Sequence, residues 1–168
     1  GTAYVIDGTL GMGGHSEALL ERFENLVLIG IDRDLQAHAI AGERLARFGE
    51  RFVPVHAVYD EIDRAMETAG VQGIDGILMD LGVSSLQLDE ASRGFSYARP
   101  APLDMRMDQG SGPTAQDLLE GSSVAELTHI LRTYGEERFA SRIAAAVVNR
   151  RQDGEPVSST QELAAPVR

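Results

Sequence analysis

The chain has no cysteine, which excludes disulfides, cysteine-ligated zinc and thiolate catalysis. It has no apolar run near the ~20 residues that cross a bilayer, and no signal-peptide pattern opens it. Lysine is missing too, so every base is arginine; arginine favours bidentate phosphate contacts, although codon usage in a GC-rich genome produces the same bias. The simple expectation is a cytoplasmic protein without membrane contact. Its 168 residues suffice for one hydrophobic core, or a core plus a small lobe.

Positive charge is scarce overall. The formal charge of −11 argues against a nucleic-acid partner, which needs clustered bases. The distribution softens that conclusion: residues 1–92 hold 16 acids and 6 bases, whereas residues 93–168 hold 10 acids and 9 bases. Charge alone leaves the partner open.

The first half alternates short β-branched runs with amphipathic stretches. Strands are expected over Ala3 to Asp7, Leu26 to Asp32, Phe52 to Ala57 and Ile74 to Asp80, with helices over Ser16 to Phe23, Leu35 to Phe48 and Ile62 to Ala69. Apolar strands joined by crossover helices imply a parallel sheet covered on both faces, a doubly wound α/β domain. Residues 81–113, rich in Gly, Ser, Pro, Asp and Arg, read as a long functional loop. Helices then follow: one capped by Thr114 and Asp117, one opened by the Ser123/Glu126 capping box, one over Tyr134 to Arg150, and one starting at Ser159 with Glu162. Gly1 stands directly before a strand and Arg168 inside an expected helix, so the chain reads as part of a larger protein.

The strongest local signal is the run Asp7 to Ser16 (D-G-T-L-G-M-G-G-H-S) between a strand and a helix. Gly11, Gly13 and Gly14 allow a sharp turn and a close ligand approach, with helix N-terminal amides ready for polar or anionic groups. Asp32 ends the second strand, where a carboxylate accepts from both ribose hydroxyls of a nucleoside. The glycine spacing lacks the last glycine of G-x-G-x-x-G, and the acid ending the first strand, Asp7, fits methyltransferases better than dinucleotide binders. Asp80 ends the fourth strand at the carboxyl edge, where ligands bind in open α/β sheets.

The run Asp80 to Asp89 (D-L-G-V-S-S-L-Q-L-D), followed by Arg93 to Asp108 (R-G-F-S-Y-A-R-P-A-P-L-D-M-R-M-D), closely resembles the ribosomal RNA small-subunit methyltransferase H family. So do Asp7 to Ser16 and Tyr134 to Ala144 (Y-G-E-E-R-F-A-S-R-I-A). The resemblance implies methyl transfer from S-adenosylmethionine to the exocyclic N4 amine of a cytidine in small-subunit ribosomal RNA. It also implies a helical lobe inserted into the methyltransferase domain, dividing the chain into a cofactor-binding part (1–112) and a substrate-recognition lobe (113–168). Carried over by motif, Gly13, Gly14 and His15 would line the methionine portion of the cofactor and Asp32 the ribose. Tyr59, where the family often has Phe, would flank the adenine; Asp80 and Gln87 would complete the pocket. The family usually carries an acid where Ala98 or Arg99 stands.

Methyl transfer from a sulfonium needs no metal, so positioning and electrostatics carry it. The cytosine amine is a poor nucleophile, and an acceptor for its N–H groups, Asp80 or else Asp104, improves it. Asp108 is a further candidate near the acceptor. Asp80-Leu81-Gly82-Val83 lacks the prolines and aromatic ring common in amino-methyltransferases, so Phe95 or Tyr97 is expected to stack the base. Arg93, Arg99 and Arg106 are candidates for phosphates, against internal pairing. For Asp104 and Asp108 the competing reading is an ion pair with Arg106. His38, His56 and His129 lack metal-ligand spacing. Two other classes remain open: a nicotinamide-dependent oxidoreductase, and a non-catalytic RNA-binding protein that kept the cofactor fold.

Overall fold

Four parallel strands, β1 (Ala3–Asp7), β2 (Leu26–Asp32), β3 (Phe52–His56) and β4 (Gly76–Leu78), form one sheet in the order β3-β2-β1-β4. The computed structural model describes residues 1–165. The chain divides into two compact units, Gly1–Ser84 and Ser85–Arg168.

In the first unit, side chains of β2 alternate between the two faces of the sheet. Leu26 and Leu28 join Leu10, Leu20, Ala41, Leu45 and Phe52 on one side. Ile29 and Ile31 join Ile6, Val55, Ala57 and Ala65 on the other. The covering helices are α1 (Gly14–Arg22), α2 (Leu35–Leu45) and α3 (Ile62–Thr68). Asp34 caps α2, its carboxylate accepting from the amides of Gln36 and Ala37. The chain progresses outward from β1 through β2 to β3 and then returns to β4 on the opposite side of β1. The crevice at the carboxyl ends of β1 and β4 is therefore the topological switch point where such sheets bind ligands.

Several boundaries differ from the sequence expectation. β4 is confined to Gly76–Leu78 and β3 stops at His56. Helix α1 begins earlier, at Gly14, because Gly13 turns the chain with a positive φ of 79°. Helix α2 gives way at Ala46 to a 3₁₀ stretch, Ala46–Arg51, broken at Gly49.

The second unit starts with two elements inside the expected loop, α4 (Ser85–Asp89) and a 3₁₀ turn, Ala91–Arg93. Helices α5 (Ala115–Gly121), α6 (Val124–Thr133), α7 (Ala140–Gln152) and α8 (Thr160–Ala164) follow. Capping boxes form at Thr114/Asp117 and Ser123/Glu126, and Ser159 caps α8. The segment from Ala101 to Leu103 is anchored by backbone hydrogen bonds to Ser158, Thr160 and Gln116. Leu103 thereby enters the core with Leu127, Ala144, Val147, Val148 and Val157. Arg151 donates to the carbonyls of Leu119 and Ser122 at 3.0 Å each, satisfying the end of α5.

The helix expected over Tyr134 to Arg150 starts only at Ala140. Glu136 adopts a left-handed φ of 49°, and the Glu137 amide reaches back to the Leu131 carbonyl at 3.1 Å. A side chain at Gly135 would meet that same carbonyl at 2.9 Å. The chain thus turns between α6 and α7, and Tyr134 and Phe139 fall in the turn. Arg168, expected inside a helix, lies outside the described residues.

Ile29 is fully buried between the sheet and α3. Ile29→Ala in the full-length protein is expected to cost about 2–5 kcal/mol by urea denaturation. Leu35→Ala, on a side chain 59% exposed, should stay within about 0.5 kcal/mol; equal losses would contradict this account of the core.

Candidate functional site

Asp7, 1% exposed at the end of β1, organises the glycine turn. Its Oδ1 accepts from the Thr9 amide at 3.1 Å, with the Thr9 hydroxyl at 3.5 Å. Its Oδ2 accepts from the Ser16 hydroxyl at 2.7 Å. The Leu10 amide binds the Ile31 carbonyl (3.0 Å) and Gly13 closes the turn onto Leu10 (2.8 Å). A Cβ at Gly13 would approach Leu45 at 3.1 Å and Ala41 at 3.3 Å, and its positive φ adds strain for any other residue. Among the described residues no side chain caps α1, which leaves its first-turn amides as donors for a ligand.

Asp32 lies at the same sheet edge, half-buried. Its Oδ2 accepts from the Gly11 amide at 2.7 Å and its Oδ1 from the Asp34 amide at 2.9 Å. These bonds fix the carboxylate while each oxygen keeps a second lone pair for a hydroxyl. Tyr59 follows β3 in a turn, its side chain 54% exposed. Asp80, just past β4, is exposed, and its Oδ2 lies 3.9 Å from His15 Nδ1. The carboxyl ends of all four parallel strands thus carry Asp7, Asp32, Tyr59 and Asp80 on one edge of the first unit.

Thr9 is the residue that sequence reasoning passed over. Its hydroxyl accepts from the Asp80 amide at 2.7 Å while lying beside Asp7. One hydroxyl therefore ties the glycine turn to the end of β4. The available signal was D-x-T, a threonine two residues after an acid that ends a strand, the spacing of a side-chain-stabilised turn.

The remaining candidates belong to the second unit. Gln87 is buried in α4, 5% exposed. Arg93 is buried as well, donating to the carbonyls of Met107 and Arg106. Asp104 and Arg106 form a two-pronged pair at 3.0 and 2.8 Å, and Arg106 also donates to the Gly112 carbonyl. The Arg106 guanidinium holds the Asp104 carboxyl below the usual carboxylate range, against the opposing effect of burial. Asp108 accepts from the Gly110 amide and the Ser111 hydroxyl, an Asx turn. Geometry thus favours internal pairing for Arg93, Arg106 and Asp104 over contact with a substrate. Phe95 and Tyr97 are different: with Leu103, Met105 and Leu163 they line an apolar cavity of about 390 Å³. Gly94 makes that wall possible, because a Cβ there would lie 2.5 Å from the Pro102 carbonyl.

Two substitutions test these assignments. Thr9→Val should weaken binding of S-adenosylhomocysteine by ~10-fold in calorimetry, the value of one hydrogen bond, and Thr9→Ser should restore it. Unchanged affinity in Thr9→Val would remove Thr9 from the site. Asp104→Asn should cost about 1–3 kcal/mol at neutral pH. Because the folded carboxyl is held low, that contribution is present above the ordinary carboxylate range and lost as pH falls through the lowered value. The gap between wild type and variant in urea midpoint should therefore narrow in acid.

The sequence profile of the MraW methylase family matches residues 1–168. A protein from Beutenbergia cavernae named ribosomal RNA small subunit methyltransferase H is 58% identical, across 99% of this chain and 50% of its own. Namesakes from Renibacterium salmoninarum (57% identical, 99% and 50%) and Saccharopolyspora erythraea (59% identical, 90% and 46%) match similarly. The chain spans about half the length of these curated relatives. With the Rossmann-like parallel sheet and the glycine turn, these matches make the chain a member of the MraW methylase family.

Proposed function

We propose that the protein methylates the exocyclic N4 amine of a cytidine in small-subunit ribosomal RNA, using S-adenosylmethionine. Family membership and the names of the relatives support RNA methylation. The observation that carries the cofactor reading is the uncapped α1 N-terminus beside a carboxylate fixed by the Gly11 amide. That combination suits a nucleoside carrying a charged amino-acid tail. S-adenosylmethionine supplies an activated methyl group on a sulfonium.

The residues of this chain do the rest. Gly11, Gly13, Gly14 and His15 receive the amino-acid portion through backbone amides and close approach. Asp32 accepts from the ribose hydroxyls, and the exposed ring of Tyr59 stacks on the adenine. Asp80 is the polar group suited to the amine: an acceptor for its N–H groups draws the nitrogen lone pair out of conjugation with the ring. Phe95 and Tyr97 offer stacking surface for RNA bases. Residues 1–112 would serve the cofactor and residues 113–168 the RNA, although the compact units meet at Ser84.

The test is methyl transfer by the full-length protein from labelled S-adenosylmethionine to small ribosomal subunits stripped of their natural methylations, with nucleosides identified by mass spectrometry. N4-methylcytidine is expected, and Asp80→Ala should lower kcat by about 10²-fold or more. Label on another base, or stabilisation by a nicotinamide cofactor rather than by S-adenosylhomocysteine, would overturn the proposal.

A further inference from the structure

Eight arginines of this acidic protein are occupied. In the first unit Arg44 and Arg47 pair with Glu17, Arg47 also with Glu21, and Arg64 with Glu61. Arg51 donates to the carbonyls of Leu20, Phe23 and Glu24. In the second unit Arg93, Arg106 and Arg151 bind carbonyls, and Arg150 donates to the Glu155 carbonyl. Arg132, Arg138 and Arg142 are exposed, and no described carboxylate lies within ion-pair distance of them.

These three flank the turn between α6 and α7, where two aromatic rings also face solvent. Tyr134 is 78% exposed and Phe139 50%. Arg142 lies 4.7 Å and Arg138 5.8 Å from the centroid of Phe139. Tyr134 rests edge-on against His129 at 6.3 Å. Apolar burial does not account for either ring. The turn also holds Glu136 and Glu137, the latter accepting from the Phe139 amide at 2.7 Å, so its three arginines keep a local formal excess of one positive charge.

We infer that the α6–α7 turn is a docking surface for single-stranded RNA, with Tyr134 and Phe139 stacking bases and Arg132, Arg138 and Arg142 meeting phosphates. Exposed rings interleaved with unpaired guanidinium groups are the combination that binds unpaired nucleotides, because every base presents a π-face and every linkage a charge. Arg138 and Arg142, already lying by the Phe139 ring, are placed to hold a stacked nucleotide at both ring and phosphate. The inference rests on the RNA-methylating reading above and adds to it where the RNA is gripped.

The experiment uses full-length protein and two probes: a fluorescein-labelled single-stranded oligocytidylate, and small ribosomal subunits lacking their natural methylations. Phe139→Ala and the pair Arg138→Gln/Arg142→Gln should each weaken oligonucleotide binding ~10-fold, the scale of one stacked base or two phosphate contacts. They should raise KM for the subunits while leaving kcat, S-adenosylhomocysteine affinity and the thermal midpoint unchanged. The double arginine variant should also flatten the dependence of log K on log salt by about 1.4, at ~0.7 per single-strand phosphate contact. Glu136→Gln should tighten binding. Arg22 and Phe23 form a similar exposed pair, 5.8 Å apart, beside Glu21 and Glu24; Arg22→Gln/Phe23→Ala should leave RNA binding unaltered. If the variants match wild type in KM and salt dependence while wild type methylates the subunits, the docking surface is refuted alone. If they instead lower the thermal midpoint with RNA binding intact, the face belongs to the protein's own remaining chain, and the inference is equally refuted. If wild type neither binds nor methylates the subunits, the underlying functional reading fails first.

Discussion

A carboxylate withdrawn from water must find hydrogen-bond donors, and Asp7 finds them only if the chain doubles back over the end of β1. Its two oxygens accept from Thr9 on one side and Ser16 on the other. Those bonds set the path of the glycine turn and fix where α1 begins. Thr9, held by Asp7, is then placed to receive the Asp80 amide. Asp32 completes the frame by accepting from Gly11. Two acids at two strand ends, Asp7 and Asp32, thus shape the edge of the first unit, and three of the five bonds they accept come from backbone amides, which only a proline would remove.

The second unit solves a different problem, the folding of a long segment poor in regular structure. Its means are guanidinium groups, that of Arg93 buried and those of Arg106 and Arg151 half-buried. Arg93 gathers carbonyls from the far end of the loop, Arg106 joins Asp104 to Gly112, and Arg151 closes the end of α5. Arginine suits this work because its five donors lie in one plane and it stays charged at any relevant pH. With the loop held in this way, Leu103 reaches the helical core and Phe95 and Tyr97 form a wall, which a freely moving loop would not provide.

Much of this was legible in the residues, for identifiable reasons. Strands β1 and β2 matched their expected limits because short apolar runs carrying Val and Ile and ending on an acid leave little room for another assignment. Thr114, Ser123 and Ser159 marked helix starts because capping is local chemistry. The helix start at Ala140 was missed because Phe139 continues the apolar spacing of α7 backward, while the left-handed turn at Glu136 leaves no trace in hydrophobic periodicity. Asp104 and Arg93 illustrate the other limit. An acid and a base in a polar loop read equally well as site or staple until their distances are known, and here the distances favour the staple. Gly94 was legible only as one of many glycines; the contact that demands it comes from Pro102, which is remote in local reasoning.

Net charge, the first obstacle to an RNA partner, loses its force once the partners of each charge are known. At physiological ionic strength a charge is screened beyond roughly 8 Å, so distant acids contribute little to the field at a phosphate. What counts is the set of charges near the contact and whether each is already neutralised. The paired arginines of the first unit offer a ligand almost nothing, since binding would first break their bonds to Glu17, Glu21 and Glu61. An arginine over an aromatic ring gives up far less, because the ring and a base can hold the guanidinium together and the phosphate meets an unshared charge. An acidic protein can therefore carry a local RNA-binding face, provided its carboxylates are committed elsewhere. In this chain the acids are concentrated in the half where Arg44, Arg47 and Arg64 are already paired with them.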